Sequence, residues 1–198
     1  MMKEPFFYRF IARPVVRVFI KLWYHPTVVG LENIPKSGRI VLAGNHTNDM
    51  DSVMMVSVVP FRVLHFLAKD SLLKGAKKLI FSGMGIIPVN RSIHDKNALN
   101  NAINALEEDK AIAIFPEGTI NRTEDIIMPF KIGAVKMASE TNTPIVPFVI
   151  TGKYKFGTKN LKIEFLKPIK IPKKEDLTEY NEKLMKIVSK KLEESRKQ

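Results

Sequence analysis

Short β-branched runs alternate along the chain with stretches whose apolar residues recur at helical spacing. Runs at 27–29, 39–43, 63–67, 85–89, 111–115, 145–150 and 161–166 predict strands. The stretches 51–59, 71–81, 92–108 and 132–141 predict helices between them. Two of the strand runs, AIAIF and PIVPFVI, are apolar at successive positions, which suits central strands covered by helices on both faces. Residues 176–197 carry Leu177, Leu184, Ile187, Val188 and Leu192 at helical spacing and predict a terminal helix packed across the sheet. The pattern therefore predicts an α/β fold with a single mixed, largely parallel sheet flanked by helices.

The first 26 residues follow a different rule. Bulky apolar side chains dominate, yet Arg9, Arg13, Arg17 and Lys21 interrupt them, so no apolar run is long enough to span a bilayer. The uninterrupted apolar centre and small-residue cleavage site of a secretory signal are missing as well, and export is not expected. The four cations recur every fourth residue and form a basic stripe on a helix, leaving Phe6, Phe10, Val16, Phe19, Ile20 and Trp23 for other faces. Pro14 divides the segment into two short pieces joined at 12–14. The expected organisation is an amphipathic membrane-interface segment at 1–26 followed by one folded domain at 27–198. A core-packing helix with a solvated basic edge would give the same pattern.

Composition narrows the chemistry. With 198 residues, 45% of them apolar and 26% charged, the chain can bury a sizeable core and is not disordered. It has no cysteine, which excludes disulfide frameworks, thiolate metal sites and cysteine nucleophiles, and is compatible with a reducing compartment. A net charge of +12 asks for an anionic partner: nucleic acid, acidic lipid or a phosphorylated substrate. Dinucleotide, P-loop and nucleophile-elbow motifs are all incomplete or absent.

Four segments carry candidate chemistry. In RIVLAGNHTNDMD a strand runs into Asn45 and His46, with Asp51 five residues on. A continuous helix would put that His and Asp on different faces, so a partnership needs a turn between them and Asp51 in the first turn of a helix, capped by Asn48 or Asp49. An aspartate holding one imidazole nitrogen leaves the other free as a general base. A structural histidine bonded to a helix start fits this segment equally well. A metal site built on His46, Asp49 and Asp51 is weaker, because no second histidine stands at ligand spacing.

In IFPEGTINR a buried strand ends in a turn that presents Glu117, Gly118, Thr119, Asn121 and Arg122, at the strand end where ligands gather. Arg91 follows the strand in GIIPVNR, and Lys131 in PFKIGA opens a helix. Basic side chains beside helix-start N–H groups make an anion site. The basic loop with Lys153, Lys155, Lys159 and Lys162 near Tyr154 and Phe156 gives a nucleic-acid reading some footing, but that reading leaves the His–Asp pair and FPEGT unexplained.

Taken together, NHTNDMD, GIIPVNR, FPEGT and PIVPF, in this order between residues 45 and 150, resemble the four motif blocks of the glycerolipid acyltransferase family. The resemblance implies transfer of a fatty acyl group from an acyl carrier protein or coenzyme A thioester to the sn-2 hydroxyl of lysophosphatidate, forming phosphatidate. Another acceptor, such as glycerol 3-phosphate or a different lysophospholipid, is the alternative within the family. It implies His46 as catalytic base and Asp51 as its orienting partner. Asn45, Arg91, Glu117, Gly118, Thr119, Arg122 and Lys131 become the substrate-binding set, and PIVPF belongs to the acyl-binding or structural core. Many members place arginine directly after the threonine of FPEGT; here Ile120 stands there and Arg122 comes two positions later. No metal and no cofactor beyond the acyl donor is implied. The partners are the acceptor lipid, the thioester carrier and an anionic membrane surface rather than nucleic acid. The expected location is the cytoplasmic face of the cell membrane, peripheral or monotopic.

Overall fold

The apolar run that follows Arg39 becomes a strand whose five residues, Ile40–Gly44, are all buried. Ile40 and Leu42 enter one hydrophobic core while Val41 and Ala43 enter another, as the two-residue period of a strand requires. The computed structural model describes residues 10–11, 13–69, 86–89, 96–173 and 176–197, and in it this strand lies at the middle of a seven-stranded sheet. The strands are β1 (Thr27–Val29), β2 (Ile40–Gly44), β3 (Leu64–Lys69), β4 (Ile87–Val89), β5 (Ala111–Ile114), β6 (Ile145–Thr151) and β7 (Lys162–Phe165). They are ordered β1-β7-β6-β2-β5-β3-β4. Only the β6–β7 pairing is antiparallel, so β1 and β7 run against the other five.

The helices divide between the faces. α1 (Arg13–Tyr24) and α2 (Asp51–Val58) cover one side, where Ile20, Met54 and Met55 pack on Leu42, Phe148 and Phe165. The helices Lys96–Glu107, Gly133–Glu140 and Thr178–Arg196, here α3, α4 and α5, cover the other. The last presents Leu184, Val188 and Leu192 at four-residue spacing, all buried. Each such side chain contributes about 1.5–3 kcal/mol on leaving water. The strand and helix boundaries expected from the sequence fall within two residues of those observed, except at the start of α3, where the expected residues 92–95 lie outside the described ones. The helix expected at 71–81 lies outside the described residues.

α1 departs from the expected basic stripe. Pro14 sits in its first turn, and Val16, Ile20 and Tyr24 pack into the core. Arg13 is turned inward: its guanidinium donates to the carbonyls of Val59, Pro60 and Arg62 just past the end of α2. Carbonyls at a helix C-terminus have no intrahelical partner and favour a cation, so Arg13 serves the fold rather than a solvated face. Arg17 and Lys21 remain exposed, as do Phe10, Ile11, Val15, Val18, Phe19, Leu22 and Trp23. Among the described residues the helix thus packs by one face and leaves a second apolar face uncovered.

Candidate active site

The register of β2 against β5 aligns Ala43 with Ile114, so the segments that leave these two strands emerge side by side. β2 ends at Gly44, where a Cβ would lie 2.2 Å from the carbonyl oxygen of Phe148; only glycine lets the chain pass β6 this closely. Asn45 follows, buried, with its amide donating to Ile150 O at 2.9 Å and its Oδ1 accepting Ile150 N–H at 2.8 Å. Both ends of that amide are committed to the backbone of β6. Asn45 therefore anchors the exit of β2 to β6.

His46 is next, and its ring is fixed from three directions. Its face stacks on Phe115 with centroids 4.1 Å apart, and Phe115 in turn meets Phe148 edge-on. Nδ1 lies 2.9 Å from Oδ2 of Asp51. The backbone of His46 is pinned by the loop after β5, for Glu117 Oε1 accepts its N–H at 2.7 Å and the Asn121 N–H donates to its carbonyl at 2.9 Å.

Asp51 is wholly buried at the first position of α2. The intervening turn closes with the Asp51 N–H on Asn48 O, while Asn48 Oδ1 accepts from Met50 N–H. The N-cap position is Met50, without a side-chain cap, so neither Asn48 nor Asp49 caps α2 as expected. The carboxylate folds back so that Oδ2 also accepts the N–H groups of Thr47 and Asn48, at 2.7 and 2.9 Å. Oδ1 takes the hydroxyl of Tyr154 at 2.7 Å. A buried carboxylate with donors on both oxygens is held in one orientation.

Glu117 is buried with both oxygens occupied, Oε1 by His46 N–H and Oε2 by Met128 N–H at 2.9 Å. Burial pushes its carboxyl up from the usual range, opposed by those two backbone donors. Like Asn45, it holds backbone groups. Gly118 adopts φ 74°, and a Cβ there would come 2.8 Å from Cε and Nζ of Lys131. The Lys131 side chain thus lies across the FPEGT turn, anchored by its own N–H on Pro116 O at 2.8 Å. Thr119, Arg122 and Lys131 are exposed around this turn, beside the His46 backbone that the same loop binds. Arg91 lies outside the described residues. Two contributors were not singled out in the sequence: Phe115, which backs the imidazole, and Tyr154, whose hydroxyl reaches Asp51 across 103 positions.

Among the described residues Nε2 of His46 has no hydrogen-bond partner, and the side chain keeps 14% of its surface open. An imidazole held at Nδ1 by a buried carboxylate and open at Nε2 can accept a proton from an approaching hydroxyl. No group of three or more His, Asp or Glu among the described residues forms a metal-binding cluster.

The family model described as Acyltransferase matches residues 25–151, a stretch that runs from the start of the sheet to the end of β6. The chain belongs to the acyltransferase family. His46, Asp51, Glu117, Gly118, Thr119, Arg122 and Lys131 all fall inside the matched segment. A 1-acyl-sn-glycerol-3-phosphate acyltransferase of Borreliella burgdorferi is 40% identical over 139 residues, covering 68% of this chain and 54% of that protein. The Bacillus subtilis protein of the same name is 31% identical over 149 residues, covering 73% and 71%. The human 1-acyl-sn-glycerol-3-phosphate acyltransferase alpha is 29% identical over 140 residues, covering 67% and 47%. The chain thus spans about half the length of the Borreliella and human relatives. In fold, this acyltransferase-family chain is similar to the crystal structure of the 1-acyl-sn-glycerophosphate (LPA) acyltransferase of Thermotoga maritima. The TM-score is 0.76 at 23% identity, over 96% of this chain and 82% of that one.

Proposed function

We propose that this protein transfers a fatty acyl group from an acyl carrier protein or coenzyme A thioester to the free sn-2 hydroxyl of lysophosphatidate, forming phosphatidate. The observation that carries the reading is the His46 imidazole, tied at Nδ1 to buried Asp51 and open at Nε2 at the end of β2. The names of the Borreliella, Bacillus and human relatives supply the acceptor.

In the proposed reaction Nε2 takes the proton of the acceptor hydroxyl as its oxygen attacks the thioester carbonyl carbon. The tetrahedral intermediate collapses, the C–S bond breaks, and the imidazolium returns its proton to the departing thiolate. Asp51 keeps its hydrogen bond to Nδ1–H throughout and stabilises the imidazolium. Phe115 holds the ring in plane for both transfers. Lys131 and Arg122, with Thr119, offer positive charge and a hydroxyl to the acceptor's phosphate, which carries about −1.5 to −2 charges near neutral pH. Arg91 joins that set by its place in the GIIPVNR block.

Both the acceptor and the acyl chain reside in bilayers. The outer face of α1, with Val15, Val18, Phe19, Leu22 and Trp23 exposed beside Arg17 and Lys21, suits insertion into an anionic membrane surface. No helix among the described residues is long and apolar enough to cross a membrane. We place the protein at the cytoplasmic face of the cell membrane as a peripheral or monotopic enzyme.

The deciding experiment is transfer of labelled palmitate from palmitoyl carrier protein or palmitoyl coenzyme A to lysophosphatidate in detergent, comparing wild type with His46→Ala. Labelled phosphatidate from wild type, reduced about 10²–10⁴-fold by the substitution, is the expected result. Product from another acceptor alone would reassign the substrate; equal activity in both proteins would remove His46 from the chemistry.

A further inference from the structure

A half-buried phenol touches the carboxylate that orients His46, and the acyl-transfer steps above make no use of it. Tyr154 stands in the loop between β6 and β7. Its hydroxyl donates to Asp51 Oδ1 at 2.7 Å and lies 3.6 Å from the sulfur of Met54. The two oxygens of Asp51 are thereby divided: Oδ2 serves Nδ1 of His46 and the N–H groups of Thr47 and Asn48, while Tyr154 serves Oδ1. The Thr47 hydroxyl does not distinguish them, lying 3.3 Å from one and 3.4 Å from the other.

The terminal torsion of an aspartate is broad and its two oxygens are equivalent, so a second partner in a different direction fixes the plane in which one oxygen meets the imidazole. Tyr154 supplies the partner specific to Oδ1. Burial first, and then the charge of Asp51 and the hydrogen bond to it, drive the phenol's pKa far above its ordinary value, so the group stays a donor. The ring is itself braced. Tyr24 of α1 meets it edge-on at 5.5 Å, and the loop is tied to the end of α1 by Gly157 N–H on Trp23 O at 3.0 Å and by Phe156 against Trp23.

We propose that Tyr154 is a positioning residue for this active site: its O–H fixes the Asp51 carboxylate so that Oδ2 faces His46, which keeps the Nδ1–H tautomer and leaves Nε2 open to substrate. The kinetic consequence rests on the acyl-transfer reading; the geometric one does not.

Tyr154→Phe removes the hydroxyl and keeps the ring that packs on Tyr24. The test compares wild type, Tyr154→Phe, Asp51→Asn and the double variant in three ways: steady-state acyl transfer to lysophosphatidate, thermal unfolding, and nitrogen-15 spectra of labelled histidine. Tyr154→Phe is expected to lower kcat about tenfold with KM changed less than about twofold. The His46 resonances should move from a single Nδ1–H tautomer toward a mixture. The double variant should be no slower than Asp51→Asn, because the phenol acts through that carboxylate. A Tyr154→Phe protein that only melts earlier, with kcat and the histidine spectrum unchanged, would overturn the proposal, as would losses that multiply in the double variant. If wild type acylates no acceptor, the functional reading falls and the histidine spectrum alone still decides the role of Tyr154.

Discussion

The carboxylate of Glu117 accepts the backbone N–H of His46 at 2.7 Å, so the loop that leaves β5 fixes the residue that leaves β2. The other oxygen holds Met128, which ties the far end of the same loop into one clasp. Glu117→Gln keeps the shape but replaces one acceptor oxygen with an NH₂ group, which faces a backbone N–H it cannot accept. A loss of about 1–3 kcal/mol in unfolding free energy is expected, measured by denaturant titration. Activity should fall with it, since His46 shifts against Phe115; unaltered activity in a destabilised protein would confine Glu117 to stability.

Lys131 lies across Gly118, and Arg122 stands exposed on the same loop. If this turn receives the acceptor's phosphate, Lys131→Ala and Arg122→Ala each raise KM for lysophosphatidate by about tenfold, the scale of one charge-assisted hydrogen bond, with little change in kcat. A neutral acceptor such as a monoacylglycerol should be used no worse by the variants than by wild type. A parallel rise in KM for both acceptors would assign the two cations to something other than the phosphate.

The outer face of α1 offers a separate measurement. Phe19 stacks on Trp23 with centroids 4.9 Å apart, leaving both rings exposed. Replacing Arg17 and Lys21 by Gln should weaken binding to phosphatidylglycerol-containing vesicles by about 1 kcal/mol per cation, and the loss should vanish in vesicles of phosphatidylcholine alone. Trp23→Ala should weaken binding to both kinds of vesicle. Unchanged sedimentation with every vesicle would leave the apolar face without a membrane role.

Away from the site, Glu164 on β7 joins Lys191 of α5 at 2.7 Å and Lys162 at 3.0 Å. Burial pushes its carboxyl up, but the hydrogen bonds to Lys191 and Lys162 outweigh it and hold the group below the usual carboxylate range. The unfolded chain therefore binds more protons than the folded one as pH drops through that range, and stability falls with it. Wild type should exceed Glu164→Gln by about 0.5–1 kcal/mol near neutral pH, and the gap should close as pH falls through the lowered pKa. A gap independent of pH would mean the effect is packing rather than charge.

How much of the site was legible depended on sequence distance. His46 and Asp51 are five positions apart, and the requirement that a turn separate them with Asp51 opening a helix follows from helical geometry alone. The backbone contacts of Asn45 and Glu117 could not be read, because a polar residue near a candidate histidine looks the same in sequence whether it faces substrate or backbone. Glu117 reaches His46 across 71 positions and Asn45 reaches Ile150 across 105, through strand neighbours that the sheet order alone brings together. Arg13 was misread for the same reason: its partners are carbonyls 46 to 49 positions away.

The sequence by itself determined the strands and helices seen among the described residues, the basic net charge, the spacing of the His–Asp pair and the family resemblance. Each of these is written in local spacing, composition or a short motif, and local spacing sets which side chains share a face. The tertiary structure decided the rest: which carboxylate orients the imidazole and which holds its backbone, that a tyrosine from the loop after β6 completes the Asp51 shell, and that α1 buries one face while leaving another open. Those assignments depend on strand order and on helices packed across the sheet, contacts between residues far apart in sequence that no local pattern encodes.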